Sequence, residues 1–517
     1  MSLVLDEPLE LESPIRAPQA ETLAASVVIL LSMTVAQRVI GFLRGMLFCR
    51  WLSLEELGQW DMAFAYLNLA APLVVLGLPG SFGRYVEYFR QRGQFHVFLR
   101  RTAVVTAVAS VVALVAMLFA RAWFSELVFG TRTETTLSVW LAACLVAVIL
   151  HNFLTALFIA VRMYRVVTAL QFAQGLGFAA ISLVLLSVHP QGATSAVIGY
   201  TLATLLAAAV SIGWLSRLVR SEPDEPATER RRDFWMRLLP FAVWMWVTNL
   251  ISNVFDLVDR YMIVHHGGMS PDEALRQVGN YHSSRIIPLL FVGVAALFAS
   301  MITPHLTTDW EVGRRESVVR RLNLALKLLA ITLLAASTAV LFAAPPLFEV
   351  ALRNKFQGGL DVLPCTLAYC AWFGLFAVAQ NYLWCAERAA LSNLPLLVGL
   401  ILNVLLNLLW LPTYGLPGAV WATTVSNLAA MLLTYEFSRR HGMQIDPGTW
   451  VASLAIGGLC LGAWPALAAL GVVGFLALAT NRLLHADEKQ QLLESLRAGL
   501  DRVGTARRRI FPTGIAH

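Results

Sequence analysis

Apolar runs of bilayer-spanning length recur along the whole chain, separated by short polar stretches. A helix rising about 1.5 Å per residue needs about 20 residues to cross the ~30 Å hydrocarbon core. Runs of that order lie at 23–49, 60–82, 102–122, 136–160, 168–188, 194–216, 238–264, 282–306, 322–344, 361–384, 391–411 and 416–437. The stretch from Trp450 to Leu484 is shorter than the ~40 residues two perpendicular helices need, but Pro465 and its flanking glycines place a turn near its middle. The pattern predicts an all-α polytopic membrane protein of about fourteen transmembrane helices.

Composition agrees, since 58% of residues are hydrophobic and only 14% are charged. Short loops rich in arginine stay on the cytoplasmic side of a membrane. One set of loops carries Arg84, Arg90, Arg92, Arg100 and Arg101, then Arg162 and Arg165, then Arg217, Arg220 and Arg230 to Arg232, and so on to Arg439 and Arg440. The opposite set is nearly bare, so both termini are expected in the cytoplasm, in agreement with the basic tail Arg507 to Arg509. The net charge of +7 is therefore a topological and lipid-facing signal, and no nucleic-acid partner is expected. The six cysteines fall in or beside apolar segments, at spacings that suit packing rather than disulfides or metal.

Gly192, Ala196, Val197 and Thr201 recur at the same spacing as Gly415, Ala419, Val420 and Thr424. A weaker echo relates Gly58, Gln59 and Trp60 to Gly279, Asn280 and Tyr281 at almost the same offset. The shared offset predicts two six-helix halves, 22–220 and 238–440, related as parallel repeats around a central cavity. A disordered cytoplasmic tail at 1–21, a charged linker at 221–237 with Pro223 and Pro226, and two extra transmembrane helices at 449–484 complete the division. The last segment, 485–517, is a basic cytoplasmic tail in which Leu492, Leu493, Leu496 and Leu500 share the face of an amphipathic helix.

Charges inside the apolar segments are the candidate functional residues, because a buried cation costs roughly 2.5 to 3.5 kcal/mol on insertion scales. Arg38 and Arg44 stand in the first span and Arg285 in the eighth. Arg38 and Arg44 lie about 120° apart on an ideal helix, so a single narrow stripe holds both only if Gly41 permits a bend; pairing with Asp61 or with helix ends is the structural alternative. Asp256 and Asp259 share a face of the seventh span, with Arg260 one turn beyond Asp256. An internal pair is the reading for Asp256 with Arg260, and a proton or sodium site the functional alternative, with Asp259 the freer carboxylate. Asn249, Asn253, Gln380 and Asn381 are candidate cavity-lining residues, as are Asn403 and Asn407; most such amides serve as interhelical glue.

The run Ser32-Met33-Thr34, Arg38-Val39, Gly41-Phe42, Arg44 and Arg50 resembles the first helix of the bacterial lipid II flippases. The next stretch, Leu57-Gly58-Gln59-Trp60 through Gly77-Leu78-Pro79-Gly80-Ser81 to Arg84-Tyr85-Val86, is more similar to the polysaccharide (O-antigen and exopolysaccharide) unit translocases of the same superfamily, which also contains multidrug and toxin extrusion pumps. Tyr281, Arg285 and Pro304 resemble a third motif, in the eighth span. The resemblance implies transfer of an undecaprenyl-diphosphate-linked oligosaccharide from the cytoplasmic to the periplasmic leaflet of a bacterial inner membrane, with Arg38, Arg44 and Arg285 on the diphosphate. It also implies a polysaccharide polymerase or ligase as candidate protein partner. Gly45 stands where the lipid II branch has an aspartate, and Ala70, Ala71 and Pro72 where that branch has arginines, which favours the polysaccharide-unit reading.

The guanidinium fork suits phosphate oxygens on independent grounds, because it makes charge-assisted, bidentate bonds. A membrane glycosyltransferase or polymerase would need catalytic carboxylates on the outer face, and the longest outer loops, 265–280 and 345–360, hold no general acid and base pair. No phosphate-cradling glycine loop is present, so no nucleotide drive and no cofactor are expected. A drug antiporter on the same fold would prefer acidic cavity residues to these arginines.

Overall fold

The computed structural model describes residues 20–223, 230–490 and Glu494. The acidic N-terminal tail, Asp224 to Pro226 of the linker, and the leucine face and basic end of the C-terminal tail lie outside the described residues.

Among the described residues there are helices and connections but no strand. The first half contains α1 (Ala20–Trp51), α2 (Leu54–Val74), α3 (Phe82–Arg90), α4 (Phe95–Phe119), α5 (Arg121–Phe129), α6 (Thr135–Ala160), α7 (Tyr164–Val188) and α8 (Ala193–Ser221). The second contains α9 (Arg231–His266), α10 (Pro271–Glu311), α11 (Arg315–Pro346), α12 (Gln357–Ala379), α13 (Asn381–Cys385), α14 (Ala389–Tyr414) and α15 (Leu416–Arg440), followed by α16 (Pro447–Ala455) and α17 (Ala463–Ala479).

Ten described helices are long and apolar enough to cross a membrane, and eleven if the bent pair of α2 with Leu78–Arg90 forms one span. This makes the chain a multi-pass membrane protein, but among the described residues length and composition support fewer spans than the fourteen expected. The last two apolar helices, Pro447–Leu461 and Ala463–Ala479, fall short of full spans. Their break is at Gly462, whose φ of +103° suits glycine alone; Pro465 sits in the first turn of α17, where its missing N–H costs nothing. The second expected span breaks too, by 63°. Leu76 and Gly77 both take positive φ there, and a Cβ on Gly77 would lie 2.6 Å from Cβ of Trp246 on α9.

The packing of the two helix sets repeats. α1 packs on α7 as α9 packs on α14, α7 on α8 as α14 on α15, α6 on α8 as α12 on α15, and α4 on α6 as α11 on α12. The two glycines that start α8 and α15 share a backbone geometry closed to other residues: Gly192 has φ 57° and ψ −129°, Gly415 φ 60° and ψ −138°. Gly58 of α2 and Gly279 of α10 meet where these helices cross. A Cβ on Gly58 would lie 1.9 Å from the Leu275 carbonyl oxygen, and one on Gly279 would lie 2.0 Å from that of Leu54. Each helix is thus notched for the backbone of the other.

Behind the second set, α11 carries a charge the sequence reading passed over. Lys327 is fully buried, with Nζ 2.7 Å from Asp446 and 3.0 Å from both carboxylate oxygens of Glu488. One turn earlier, Asn323 donates to the Gln444 carbonyl and accepts from the Asp446 amide and the Thr449 hydroxyl. These bonds fasten the start of α16 and the segment after α17 to α11.

Candidate functional site

The two sets face each other across a cavity of about 360 Å³ bounded by α1, α2, α9 and α10. Its charged lining is Arg38, Arg44, Asp61, Asp256, Arg260 and Arg285, with His282 beside them. α1 is one continuous helix and needs no kink to present both arginines. The chamber is wide enough to span two adjacent rows of its surface, Gln37, Gly41, Arg44 and Phe48 on one and Arg38, Phe42 and Gly45 on the other. Arg44 is half-buried, its guanidinium 4.1 Å from the centre of the Phe178 ring. Arg38 is exposed and rests across Gly293 of α10, where a Cβ would come within 3.0 Å of its guanidinium carbon.

Asp61 does not pair with either of these arginines. Its carboxylate lies 2.9 Å from Arg260 Nε, an ion pair without the geometry of a hydrogen bond, and 2.8 Å from His282 Nδ1. Arg260 also stands 3.5 Å from Asp256, so the pair expected within α9 exists as the longer arm of a chain. Asp256 is held more closely by Arg285 of α10. The chain runs Asp61, Arg260, Asp256, Arg285 across α2, α9 and α10; Asp61, Arg260 and Arg285 are buried, whereas half of the Asp256 side chain is open to the cavity. Buried Arg285 Nε has no acceptor.

Asp256, Arg285 and Leu289 also border a second cavity of about 280 Å³, inside the second helix set. Here Asp259 is buried and held only by neutral donors. Thr423 Oγ1 donates at 2.6 Å, Asn403 Nδ2 at 2.9 Å, and Asn407 Nδ2 and Tyr281 OH at 3.1 Å. Tyr369 completes the ring, 3.0 Å from Tyr281 hydroxyl to hydroxyl. Asn407 Oδ1, beside this carboxylate, is buried without a partner. Asp256 thus lines both cavities, whereas Asp259, one turn along the same helix, lines only the second.

Of the candidate lining amides, Asn253 borders the second cavity. Asn249, Gln380 and Asn381 stand outside both. Asn249 is exposed; Asn381 is buried, accepting from Thr303 at 2.7 Å and capping carbonyls of its own chain, while Gln380 bonds the Ala377 carbonyl. Asn381 thus ties this helix end to α10 while Gln380 turns back on its own helix, because an amide at the end of α12 finds free carbonyls there before it finds a cavity. His282 and Thr423 were missed by the sequence reading. Each adjoins a residue it did single out, Tyr281 and Thr424, one step round the helix.

The helix order, the repeated packing and the chamber between the sets define a multi-pass helical membrane protein with a flippase-like fold. Among solved structures, a lipid II flippase, MurJ, in an inward closed conformation superposes with a TM-score of 0.67 at 13% identity, covering 87% of this chain and 98% of that one. A multidrug resistance transporter of the MATE family and MOP superfamily matches in its inward-facing conformation with a TM-score of 0.60 at 14% identity, over 80% of this chain and 97% of that one. The outward-facing conformation matches at 0.58, also at 14% identity, over 80% and 93%. The family model for polysaccharide biosynthesis proteins matches residues 23–308, and the chain belongs to that family. No curated protein sequence matches it.

Proposed function

We propose that this protein is an inner-membrane flippase that carries an undecaprenyl-diphosphate-linked oligosaccharide from the cytoplasmic to the periplasmic leaflet by alternating access. The observation that carries the reading is the convergence of four arginines, Arg38, Arg44, Arg260 and Arg285, on one chamber that holds two aspartates, Asp61 and Asp256. Counting these arginines and aspartates alone, the surplus is two positive charges, matching the two negative charges of a diphosphate diester. Arg38, Arg44 and Arg285 are the diphosphate ligands in this reading, and the unmatched Arg285 Nε is a donor awaiting an acceptor. The two helix sets, taken as halves 22–220 and 238–440, rock about the chamber. The arginine-rich ends and both termini face the cytoplasm.

Asp259 is the coupling carboxylate. A buried acid ringed by neutral hydroxyl and amide groups, with no cation among its hydrogen-bond partners, is the kind of intramembrane carboxylate that takes up a proton or a sodium ion, and the orphaned Asn407 Oδ1 is a further oxygen beside it. A drug antiporter would not need the arginine surplus.

The test is binding of undecaprenyl-diphosphate sugars to the protein in nanodiscs, against a neutral polyprenol. Arg38→Ala and Arg44→Ala are each expected to weaken diphosphate-dependent binding by roughly tenfold or more, the weight of a charge-assisted bond. Asp259→Asn should keep that binding and lose its dependence on proton or sodium concentration. Unchanged affinity in both arginine variants, or binding of cationic drugs only, would overturn the reading.

A further inference from the structure

At the arginine-rich end, away from the chamber, the start of α4 and the start of α9 enclose a recess of about 490 Å³ lined by Val97, Arg100, Arg101, Val104, Arg231 and Trp235. The four α4 residues share one face by their spacing, and Arg231 and Trp235 are one turn apart on α9. The walls are anchored in a packed aromatic cluster. Phe234 sits 5.1 Å from Phe89 and 6.2 Å from Phe98, ring centre to ring centre, and the Arg101 guanidinium lies 5.0 Å over the Phe234 ring. Arg100 and Arg231 are exposed to the recess side of this cluster.

The same face of α4 continues away from the arginines as an apolar track. Val104, Val108, Val111 and Val115 follow one another along it, between 43% and 58% exposed. On a spanning helix, such a row faces hydrocarbon chains. Arginines at one end, a valine track leading from them and an indole at the junction have the dimensions and polarity of a single phospholipid, because tryptophan settles at headgroup depth. Arginine-rich loops that only set topology need no recess and no continuous track.

The geometry points to a binding site for an anionic phospholipid, its phosphodiester held by Arg100, Arg101 and Arg231 and one acyl chain laid along the α4 valines. A free phosphate would use the guanidinium groups and leave the track without a role. The headgroup bridges α4 of the first helix set and α9, the first helix of the second, so the lipid braces the two sets at the end where the linker joins them.

The full chain released from nanodiscs of mixed phosphatidylglycerol and phosphatidylcholine should retain phosphatidylglycerol in native mass spectrometry. Arg100→Gln combined with Arg231→Gln should weaken that retention about thirtyfold, the weight of two surface arginines on an anionic lipid. The control is Arg439→Gln with Arg440→Gln, equal in charge and at the same end, where both arginines already pair with Glu436; it should change retention little. Photolabelling of the wild type by diazirine-bearing phosphatidylglycerol should mark α4 between Val97 and Val108. Equal loss in both variants, equal retention of phosphatidylcholine, displacement of the lipid by millimolar inorganic phosphate, or labels scattered away from α4 would each overturn the proposal.

Discussion

Replacing Asp61 by asparagine keeps the shape of the side chain and removes the charge on which the buried end of the polar chain depends. Arg260 and Asp61 are 3% and 4% exposed, and their charged atoms are 2.9 Å apart. At an effective dielectric of about 20, that separation is worth about 6 kcal/mol of attraction before desolvation. Stranding one partner of a buried pair costs about 3–5 kcal/mol. Asp256, 3.5 Å from Arg260, retains part of the attraction but is already engaged by Arg285, so Asp61→Asn should destabilise by about 3 kcal/mol, the low end of that range. The assay is reversible unfolding in mixed micelles of the wild type, Asp61→Asn, Arg260→Gln and the double variant. The double variant should fall short of the sum of the singles by at least about 1.5 kcal/mol, within the span seen for coupled contacts. Additivity to within about 0.5 kcal/mol would refute the argument, because it would mean that water already screens the pair.

Gly279→Ala should destabilise by about 1–3 kcal/mol through overpacking, since its Cβ would meet the Leu54 carbonyl oxygen at 2.0 Å. Gly45→Ala is the matched control, near-neutral in the same melt, because its Cβ meets only the Ile286 side chain at 3.5 Å; equal effects of the two would refute the notched crossing. Lys327→Met strands Asp446 and Glu488, so limited proteolysis between 480 and 490 should quicken markedly, and an unchanged rate would show that other contacts hold this segment.

The rule that buried charges in apolar segments mark special sites brought out Arg38, Arg44 and Arg285, and the structure places all three on one chamber. The same rule applies to Lys327, inside the run 322–344, and would have found it; surrounded by leucines and alanines, it has no acidic neighbour on its own helix face, and its partners arrive from the start of α16 and from the segment after α17. Asn381 failed in the opposite direction. An amide in an apolar run is equally suited to a cavity and to a helix end, and the chain alone does not say which carbonyls are left free beside it. The repeat was legible because Gly192 and Gly415 answer to a backbone demand, a left-handed φ that no other residue meets cheaply.

That this is a polytopic helical membrane protein, where most of its long helices lie, and which arginines are out of place in them can all be read along the chain. Those properties are local: hydropathy over a window of about 20 residues, charge in short loops, glycine where the backbone requires it. Tertiary structure alone decided which charges meet. Asp61 and His282 are 221 positions apart in the chain, and Asp259 draws its donors from α10, α14 and α15. An α-helix shows a new side chain every 100° or so, so the rotation of each helix about its own axis selects which polar residues face the chamber. That rotation is set by how neighbouring helices pack, at notches such as Gly58 against Gly279, and not by the residues of any one segment.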